Sequence, residues 1–260
     1  MPKHLSARGS TVHTFRTPAA LSPDMCGRTS LFTPQPEIER RFEATFDRDF
    51  EPRYNIAPGE DLVVIHGDDR ATLTHDEWGF VPAWADDFDA GPRPINARAE
   101  TVDENTLFRS AFENRRALVV ADGFYEWQGD RGGKQPYRVA MAENRLFAMA
   151  GVWSRWEDGD AERTTVAIIT TDANEVVESI HDRMPVILPE AQESTWLDPE
   201  SLADAKDLLG PYAGADLGAY PISTVVNDPA NDSPAVVDPV GGDTGQTGLD
   251  SFGSDRSAGQ

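Results

Sequence analysis

Five short apolar runs dominate the middle of the chain and most constrain how it can fold. They are rich in β-branched and aromatic residues, and Gly, Pro or Asp bounds each one, which is the pattern of strands separated by turns. The runs are LVVIH (62–66), ALVVADGFYEW (117–127), PYRVAM (136–141), RLFAMAGVW (145–153) and TTVAIITT (164–171).

Helical patterns are fewer and shorter than the strand patterns. They are PEIERRFEATF (36–46), ENTLFRSAFENR (104–115) and PESLADAKDLLG (199–210), the last closed by a glycine. Strands and helices do not alternate as βαβ units. The sequence therefore predicts an α+β fold, a single domain built on a mixed, curled, barrel-like β-sheet with short flanking helices.

The two ends of the chain differ in composition from the middle. Residues 1–23 contain Lys3, Arg8 and Arg16 and no acid, whereas acids become dense from Asp24 onwards. Residues 241–260 are rich in Gly, Ser and Asp and have too few apolar residues to offset the entropy of ordering. We expect a leader over 1–25 that is processed or lies before the true start, a domain over 26–240, and a disordered acidic tail over 241–260.

The charge is strongly negative, with 45 acids against 23 bases and a net charge of -22. Lysine is nearly absent, and an acid-rich, lysine-poor surface suits a cytoplasm of molar salt, where screening makes self-repulsion tolerable. This composition predicts a cytoplasmic protein of a halophile. Taken alone, the same charge argues against binding to nucleic acid.

Several classes of site are disfavoured by the sequence. One cysteine excludes an internal disulfide and a cysteine-rich zinc site, and the chain has no HxxxH or HExxH spacing. No apolar run approaches the length of a membrane span. We therefore expect no metal, no cofactor, no membrane partner, and a monomer.

Individual motifs leave their meaning open. Cys26 could be a small buried hydrophobic residue, and Asn96, Arg98 and Glu100 in INARAET could form a surface loop. Glu126 shares a strand face with Phe124, and its aromatic surroundings are compatible either with a raised pKa or with a carboxylate in water.

Two further motifs are equally ambiguous. His181 precedes a Met-Pro pair that must leave helical conformation, so we expect it at the end of a turn facing a cleft. A single histidine is nevertheless more often structural than catalytic. The aromatic residues of EWGFVPAW (77–84) are either core or a platform for stacking unpaired bases.

Eight short segments in fixed order resolve these alternatives. They are MCGR (25–28), RYNIAP (53–58), WGFVPAW (78–84), INARAET (95–101), FRSAF (108–112), ADGFYEW (121–127), HDRMPVIL (181–188) and PISTVVN (221–227). Together they resemble the SRAP (SOS-response-associated peptidase) family of abasic-site processing proteins over about 26–240. The resemblance implies a protein that binds single-stranded DNA and crosslinks itself to abasic sites through an N-terminal cysteine.

The resemblance also implies roles for particular residues. Cys26 would be the crosslinking nucleophile once Met25 is removed, Asn96 would orient its amine and the sugar, Glu126 would be the general acid and base, and His181 would assist ring opening. Arg28 and Arg98 would hold the phosphates beside the lesion. Arg109, Trp78 and Trp127 are further candidates for the DNA groove.

Residue chemistry supports this reading of Cys26. An α-amine with a pKa of about 7.7–8.0 is neutral more often than a lysine and forms a Schiff base readily. A thiol on the same residue can then close a thiazolidine ring. Two rival functions remain: a cysteine-type, self-processing peptidase built on Cys26 and His181, and a non-catalytic single-strand DNA-binding protein.

Overall fold

The computed structural model describes residues 26–129, 133–159 and 161–241, so the predicted leader (1–25) and nearly all of the predicted tail lie outside the described residues. The strands are β1 Thr29–Leu31, β2 Thr45–Phe46, β3 Arg53–Ile56, β4 Asp61–His66, β5 Asp69–Trp78, β6 Asn96–Arg98, β7 Arg116–Ala121, β8 Gly123–Gln128, β9 Gln135–Met141, β10 Phe147–Asp158, β11 Ala161–Asp172, β12 Arg183–Pro185, β13 Ile187–Leu188 and β14 Leu217–Pro221. The α-helices are α1 Gln35–Phe42, α2 Arg109–Asn114, α3 Glu193–Leu197 and α4 Leu202–Asp207.

Five strands close into a barrel. β11, β10, β7, β4 and β5 follow one another as antiparallel neighbours, and a parallel pairing of β5 with β11 completes the ring. β2, β6, β12 and β13 add to its rim. The prediction of an α+β fold on a mixed, curled sheet is confirmed.

A second sheet, here called the open sheet, has the order β14-β9-β8-β1-β3 and is antiparallel throughout. The chain passes from barrel to open sheet at Asp122, between β7 and β8. The buried Asp122 carboxylate accepts hydrogen bonds from the Ser30 hydroxyl at 2.7 Å and the Phe32 amide at 2.6 Å. These bonds fix a corner, so the run 117–127 forms two strands rather than the one expected.

Gly123 makes that corner possible. A Cβ atom at this position would lie 2.7 Å from the Arg138 guanidinium, which is fully buried and donates to the Asp122 carbonyl at 3.0 Å. Only glycine allows the arginine to cross so close to the strand. The corner in turn sets the direction in which β8 leaves the barrel.

Residues 222–237, here called the strap, cover one face of the open sheet. Ile222, Val226 and Val236 are buried against Tyr125 of β8. The strap contains two short 3-10 turns, Thr224–Asn227 and Pro234–Val236. It thus brings the C-terminal part of the domain back beside β1, β3 and β8.

The helices are shorter than predicted. α1 stops at Phe42 because Glu43 takes a left-handed conformation with φ of 51°, after which Thr45–Phe46 pair with β5. α2 begins only at Arg109, after a series of turns, and a Ser201–Asp204 capping box starts α4 at Leu202. Within the described ranges, no helix is long and apolar enough to cross a membrane.

Candidate active site

Cys26 lies just before β1 and is buried, with 1% of its surface exposed. Its carbonyl accepts a hydrogen bond from the Asn96 side-chain amide at 2.9 Å, and its sulfur lies 3.9 Å from the Arg183 carbonyl oxygen. Burial, reinforced by the nearby Glu126 carboxylate, raises the thiol pKa well above its usual value. The thiol is therefore protonated at neutral pH and needs a base to act as a nucleophile.

Glu126 lies on β8 with 3% of its surface exposed, on the same strand face as Phe124. Burial raises its pKa to about 7, while the charge of His181 and the Cys26 thiol oppose this rise. Its Oε1 atom has no hydrogen-bond partner among the described residues. A carboxyl group that titrates near neutral pH can both donate and accept a proton, as a general acid-base residue must.

His181 ends a turn that leads from β11 to β12, as the sequence predicts. The Asn174 side chain accepts from the Val177 amide at 3.2 Å, and the His181 amide donates to the Val177 carbonyl at 2.9 Å. Nδ1 of the imidazole accepts from the Arg183 amide at 3.0 Å. Nε2 is therefore the ring nitrogen left to exchange protons with a neighbour.

Arg183 is a site residue that sequence reasoning missed. Its guanidinium donates to both oxygens of Glu100 at 2.8 and 3.0 Å and to Asp172 at 2.7 Å, and it also donates to the Thr170 carbonyl at 2.7 Å. Its backbone meanwhile contacts both Cys26 and His181. The Arg183 side chain thus ties β12 to β11 and to the turn that follows β6, which gives a structural role to Glu100 in INARAET and to Arg183 in HDRMPVIL.

Arg28 and Trp127 lie side by side next to β1. The Arg28 guanidinium carbon is 5.9 Å from the centre of the Trp127 ring, and the indole N–H donates to the Asn227 side chain at 2.7 Å. Nη1 of Arg28 donates to the Asn55 side chain and to the Val226 carbonyl, each at 2.6 Å. Both predicted DNA-binding side chains are thus held by the strap.

The other three DNA-binding candidates, Arg98, Arg109 and Trp78, lie in different parts of the structure. Arg98 is exposed on β6, two residues from Asn96. Arg109 is exposed on α2 beside Glu113, and no contact within the described ranges joins it to Cys26 or Glu126. The prediction that Trp78 contributes to the DNA groove is wrong: it is 1% exposed, donates to the Ile95 carbonyl at 2.9 Å and belongs to the core.

The structure brings Cys26, Asn96, Glu126 and His181 together from four separate segments. A nucleophile, an orienting amide and two proton-transfer groups are suited to attack on an electrophilic carbon such as a carbonyl. In the described part of the chain, no group of three His, Cys, Asp or Glu side chains is arranged to hold a metal ion. An open cleft of about 830 Å³, lined by residues such as Phe32, Arg41 and Glu143, contains none of these four residues.

The chain is similar in sequence to a known family of proteins. The model of the family described as SOS response associated peptidase (SRAP) matches residues 25–229. The chain is 38% identical over 222 residues to the abasic site processing protein YoqW of Bacillus subtilis, covering 82% of this chain and 99% of that protein.

A second relative and a solved structure are also similar to this chain. The abasic site processing protein YedK of Escherichia coli is 30% identical over 227 residues, covering 83% of this chain and all of that protein. A solved structure of a Bacteroides thetaiotaomicron protein superimposes with a TM-score of 0.75 at 27% identity, covering 82% of this chain and 99% of that one.

Proposed function

The chain belongs to the SOS response associated peptidase family, and on that premise we propose that it processes abasic sites in single-stranded DNA by forming a covalent crosslink through Cys26. The observation that carries the proposal is the convergence of a buried thiol with Glu126, whose pKa is raised to about 7. The relatives YoqW and YedK are named abasic site processing proteins.

The reaction requires Cys26 to be the first residue, because an amide nitrogen is not a useful nucleophile. Removal of residues 1–25, or translation from Met25 followed by loss of that methionine, would free the α-amine. The amine adds to C1′ of the ring-opened sugar and water leaves, giving an imine. The Cys26 sulfur then adds to the imine carbon, so one C–N bond and one C–S bond form in a thiazolidine ring and one water is released.

Glu126 supplies the proton transfers in this sequence. As an acid it protonates the sugar ring oxygen during opening and the departing hydroxyl during imine formation. As a base it takes the thiol proton when sulfur attacks, and that proton ends on the ring nitrogen. A pKa of about 7 suits both directions, since neither form of the carboxyl is scarce at neutral pH.

The other site residues bind and orient the substrate. Asn96 holds the Cys26 backbone at 2.9 Å, and His181 assists ring opening through Nε2. Arg28 and Arg98 contact phosphates, and Trp127 offers a ring face to an unpaired base. Local arginines, stacking and a covalent bond allow an acidic protein to retain DNA where salt screens long-range attraction.

The rival function of a cysteine peptidase is less well supported. Such an enzyme needs a thiolate activated by histidine, whereas burial raises the Cys26 pKa, and no hydrogen bond among the described residues joins Cys26 to His181. A non-catalytic DNA-binding protein would not need a buried carboxylate facing a buried thiol. Both arguments favour crosslinking.

The test uses a single-stranded oligonucleotide with one abasic site and a chain that starts at Cys26. We expect a slow-migrating species on a denaturing gel that survives heating, and intact mass equal to protein plus DNA less one water. Cys26→Ala keeps an amine, so it forms at most an imine that borohydride can trap. The same strand with a tetrahydrofuran in place of the abasic sugar has no aldehyde and is the matched control. A heat-stable adduct of unchanged yield from Cys26→Ala would contradict the mechanism.

A further inference from the structure

Asn55, on β3, is fully buried and uses its entire side chain in hydrogen bonds. Its amide nitrogen lies 3.1 Å from the Val226 carbonyl, 3.1 Å from the Asp228 carbonyl and 2.9 Å from the Asn231 carbonyl. Its oxygen accepts from Nη1 of Arg28 at 2.6 Å. One side chain thus connects the strap to Arg28, two residues after Cys26 in the sequence.

This connection restricts how Arg28 can point. Asn55 and the Val226 carbonyl each accept from Nη1 at 2.6 Å, which engages both protons of that nitrogen inside the protein. Nη2 has no hydrogen-bond partner among the described residues and remains for an external acceptor. Burial is the main influence on the Arg28 pKa and lowers it, so the guanidinium is held where water solvates it only partly.

We infer that Asn55 is a positioning residue for DNA binding: it aims Nη2 of Arg28 outward and, through the strap, holds Asn227 against the indole of Trp127. The inference rests on the proposed function, because it assigns Arg28 and Trp127 to the bound strand. Asn55 itself, being fully buried, touches no substrate.

A second anchor keeps the strap in register with β3. The Asp232 carboxylate accepts a hydrogen bond from the backbone N–H of Asn55 at 3.0 Å, and it also contacts the Arg53 side chain. This anchor fixes the backbone of β3 to the strap, whereas only the Asn55 side chain reaches Arg28. Loss of that side chain therefore leaves the strap attached at Asp232, but it removes one of the two acceptors of Nη1 of Arg28 and loosens the turn that contains Asn227.

The consequence is a separation of binding from chemistry. Asn55 does not contact Cys26, Asn96, Glu126 or His181 in the described part of the chain, so its loss leaves the proton-transfer groups in place. Asn55→Ala should raise the Kd for an intact single strand about tenfold, the usual cost of one misplaced charge-assisted hydrogen bond. The crosslinking rate at saturating DNA should stay within about twofold of wild type.

The test measures the Kd for an intact strand and the crosslinking rate at saturating DNA, and it includes a double-mutant cycle of Asn55 and Arg28. The Kd for an undamaged strand is determined for wild type, Asn55→Ala, Arg28→Ala and the double variant. If Asn55 acts through Arg28, the two changes are not additive, and the double variant binds less than about threefold more weakly than Arg28→Ala. Asp76→Asn is the matched control: Asp76 is buried in the barrel beside His66, so this change destabilises without weakening binding.

Hydrogen exchange supplies a readout that needs no DNA. In Asn55→Ala, peptides covering the strap should exchange about tenfold faster, while peptides of β10 should match wild type. Asn55→Asp keeps an oxygen facing Arg28 but loses the NH2 group whose two protons are shared among three strap carbonyls. In this variant the strap should therefore exchange hydrogen as fast as in Asn55→Ala, while the affinity for DNA falls less. The variant replaces Asn55→Ala in these measurements if Asn55→Ala does not fold.

The outcomes separate the inference from the proposed function. Unchanged Kd and unchanged strap exchange in the Asn55 variants overturn the inference, as do additive effects of Asn55→Ala and Arg28→Ala. A lower crosslinking rate at saturating DNA overturns it as well. A wild-type protein that binds single strands but forms no heat-stable adduct contradicts the proposed function alone, and the Kd and exchange measurements still decide the role of Asn55.

Discussion

Two consecutive strands, β7 of the barrel and β8 of the open sheet, bury different kinds of side chain along most of their length. β7 at the centre of the barrel buries an apolar run from Ala117 to Ala121. The open sheet buries Thr29, Ser30 and Glu126 on adjacent strands, and Asp122 and Arg138 lie at its corner with the barrel. Apolar packing tolerates many shapes, whereas each buried polar group requires a partner at a defined distance. The open sheet therefore fixes the directions of its side chains, and the active site is built on its central strand β8 and on the residues just before β1.

The largest effect that distinguishes the two regions is expected at Glu126. Glu126→Gln keeps the shape of the side chain but removes the titrating proton, so crosslinking should slow by about 10²–10⁴-fold. The affinity for an undamaged strand should be equal to that of wild type or slightly higher, because one negative charge is lost. Single-turnover rates on gels and fluorescence anisotropy measure the two quantities. A normal crosslinking rate would show that Glu126 is not the acid-base group.

A matched pair of destabilising changes tests the comparison directly. Asp122→Ala leaves the buried Arg138 without its carboxylate and should cost about 3–5 kcal/mol of unfolding free energy. Met149→Ala, in the barrel, should cost about 2–5 kcal/mol through the cavity it leaves. Urea denaturation of the two variants and of the wild type measures both changes in unfolding free energy.

The activities of these two variants should nevertheless differ. Folded Asp122→Ala should crosslink more slowly than wild type, because the corner that aims β8 is lost and Glu126 moves with it. Folded Met149→Ala should crosslink at the wild-type rate. Equal rates for the two variants would remove the distinction between the barrel and the open sheet.

The raised pKa of Glu126 makes stability depend on pH. The folded state binds this proton more tightly than the unfolded state, in which the pKa is about 4.3. The stability contribution is fully present below about pH 4.3 and is lost as the pH rises through 7. Between pH 5 and pH 8 the wild type should lose about 2–3 kcal/mol relative to Glu126→Gln. Urea titrations of both proteins at the two pH values measure this difference, and parallel curves would contradict it.

The smallest effects are expected at the exposed arginines. Arg98→Ala should weaken binding to every single strand and lower the salt dependence of log Kd by about 0.7, the loss of one phosphate contact. Arg109→Ala is the natural comparison, since that side chain is also exposed but lies on α2 beside Glu113. Anisotropy titrations at several salt concentrations decide between them. An equal change in both slopes would place Arg109 in the DNA groove as well.

The barrel strands could largely be predicted from the sequence because their apolar runs are continuous. β4, β7, β10 and β11 all coincide with such runs, as does β9 of the open sheet. β5 was not predicted, because its segment DRATLTHDEW is polar along most of its length, although it pairs with β4 from Asp69 to Glu77. The splitting of the run 117–127 also escaped prediction, because the corner depends on Ser30 and Phe32, which are distant in sequence.

The candidate site was predicted in part. The family resemblance identified Cys26, Asn96, Glu126 and His181, and the structure places these four side chains together. The resemblance could not identify Trp78 as a core residue, because the burial of a tryptophan depends on tertiary packing rather than on its neighbours in sequence. The role of Asn55 was equally hidden, since its partner Val226 lies 171 residues away.

The burial of Cys26, the one cysteine of the chain, affects how long its thiol stays unmodified in an oxidising cell. Peroxides and alkylating agents react with thiolates that they can reach. Cys26 is protonated and enclosed, so such reagents meet almost no reactive sulfur, although the chain has no second cysteine to reverse an oxidation. Damage to DNA and oxidation of thiols often share a cause. On the proposed function, this thiol is dormant until an aldehyde is delivered beside Glu126, and it therefore survives the same conditions that create the substrate.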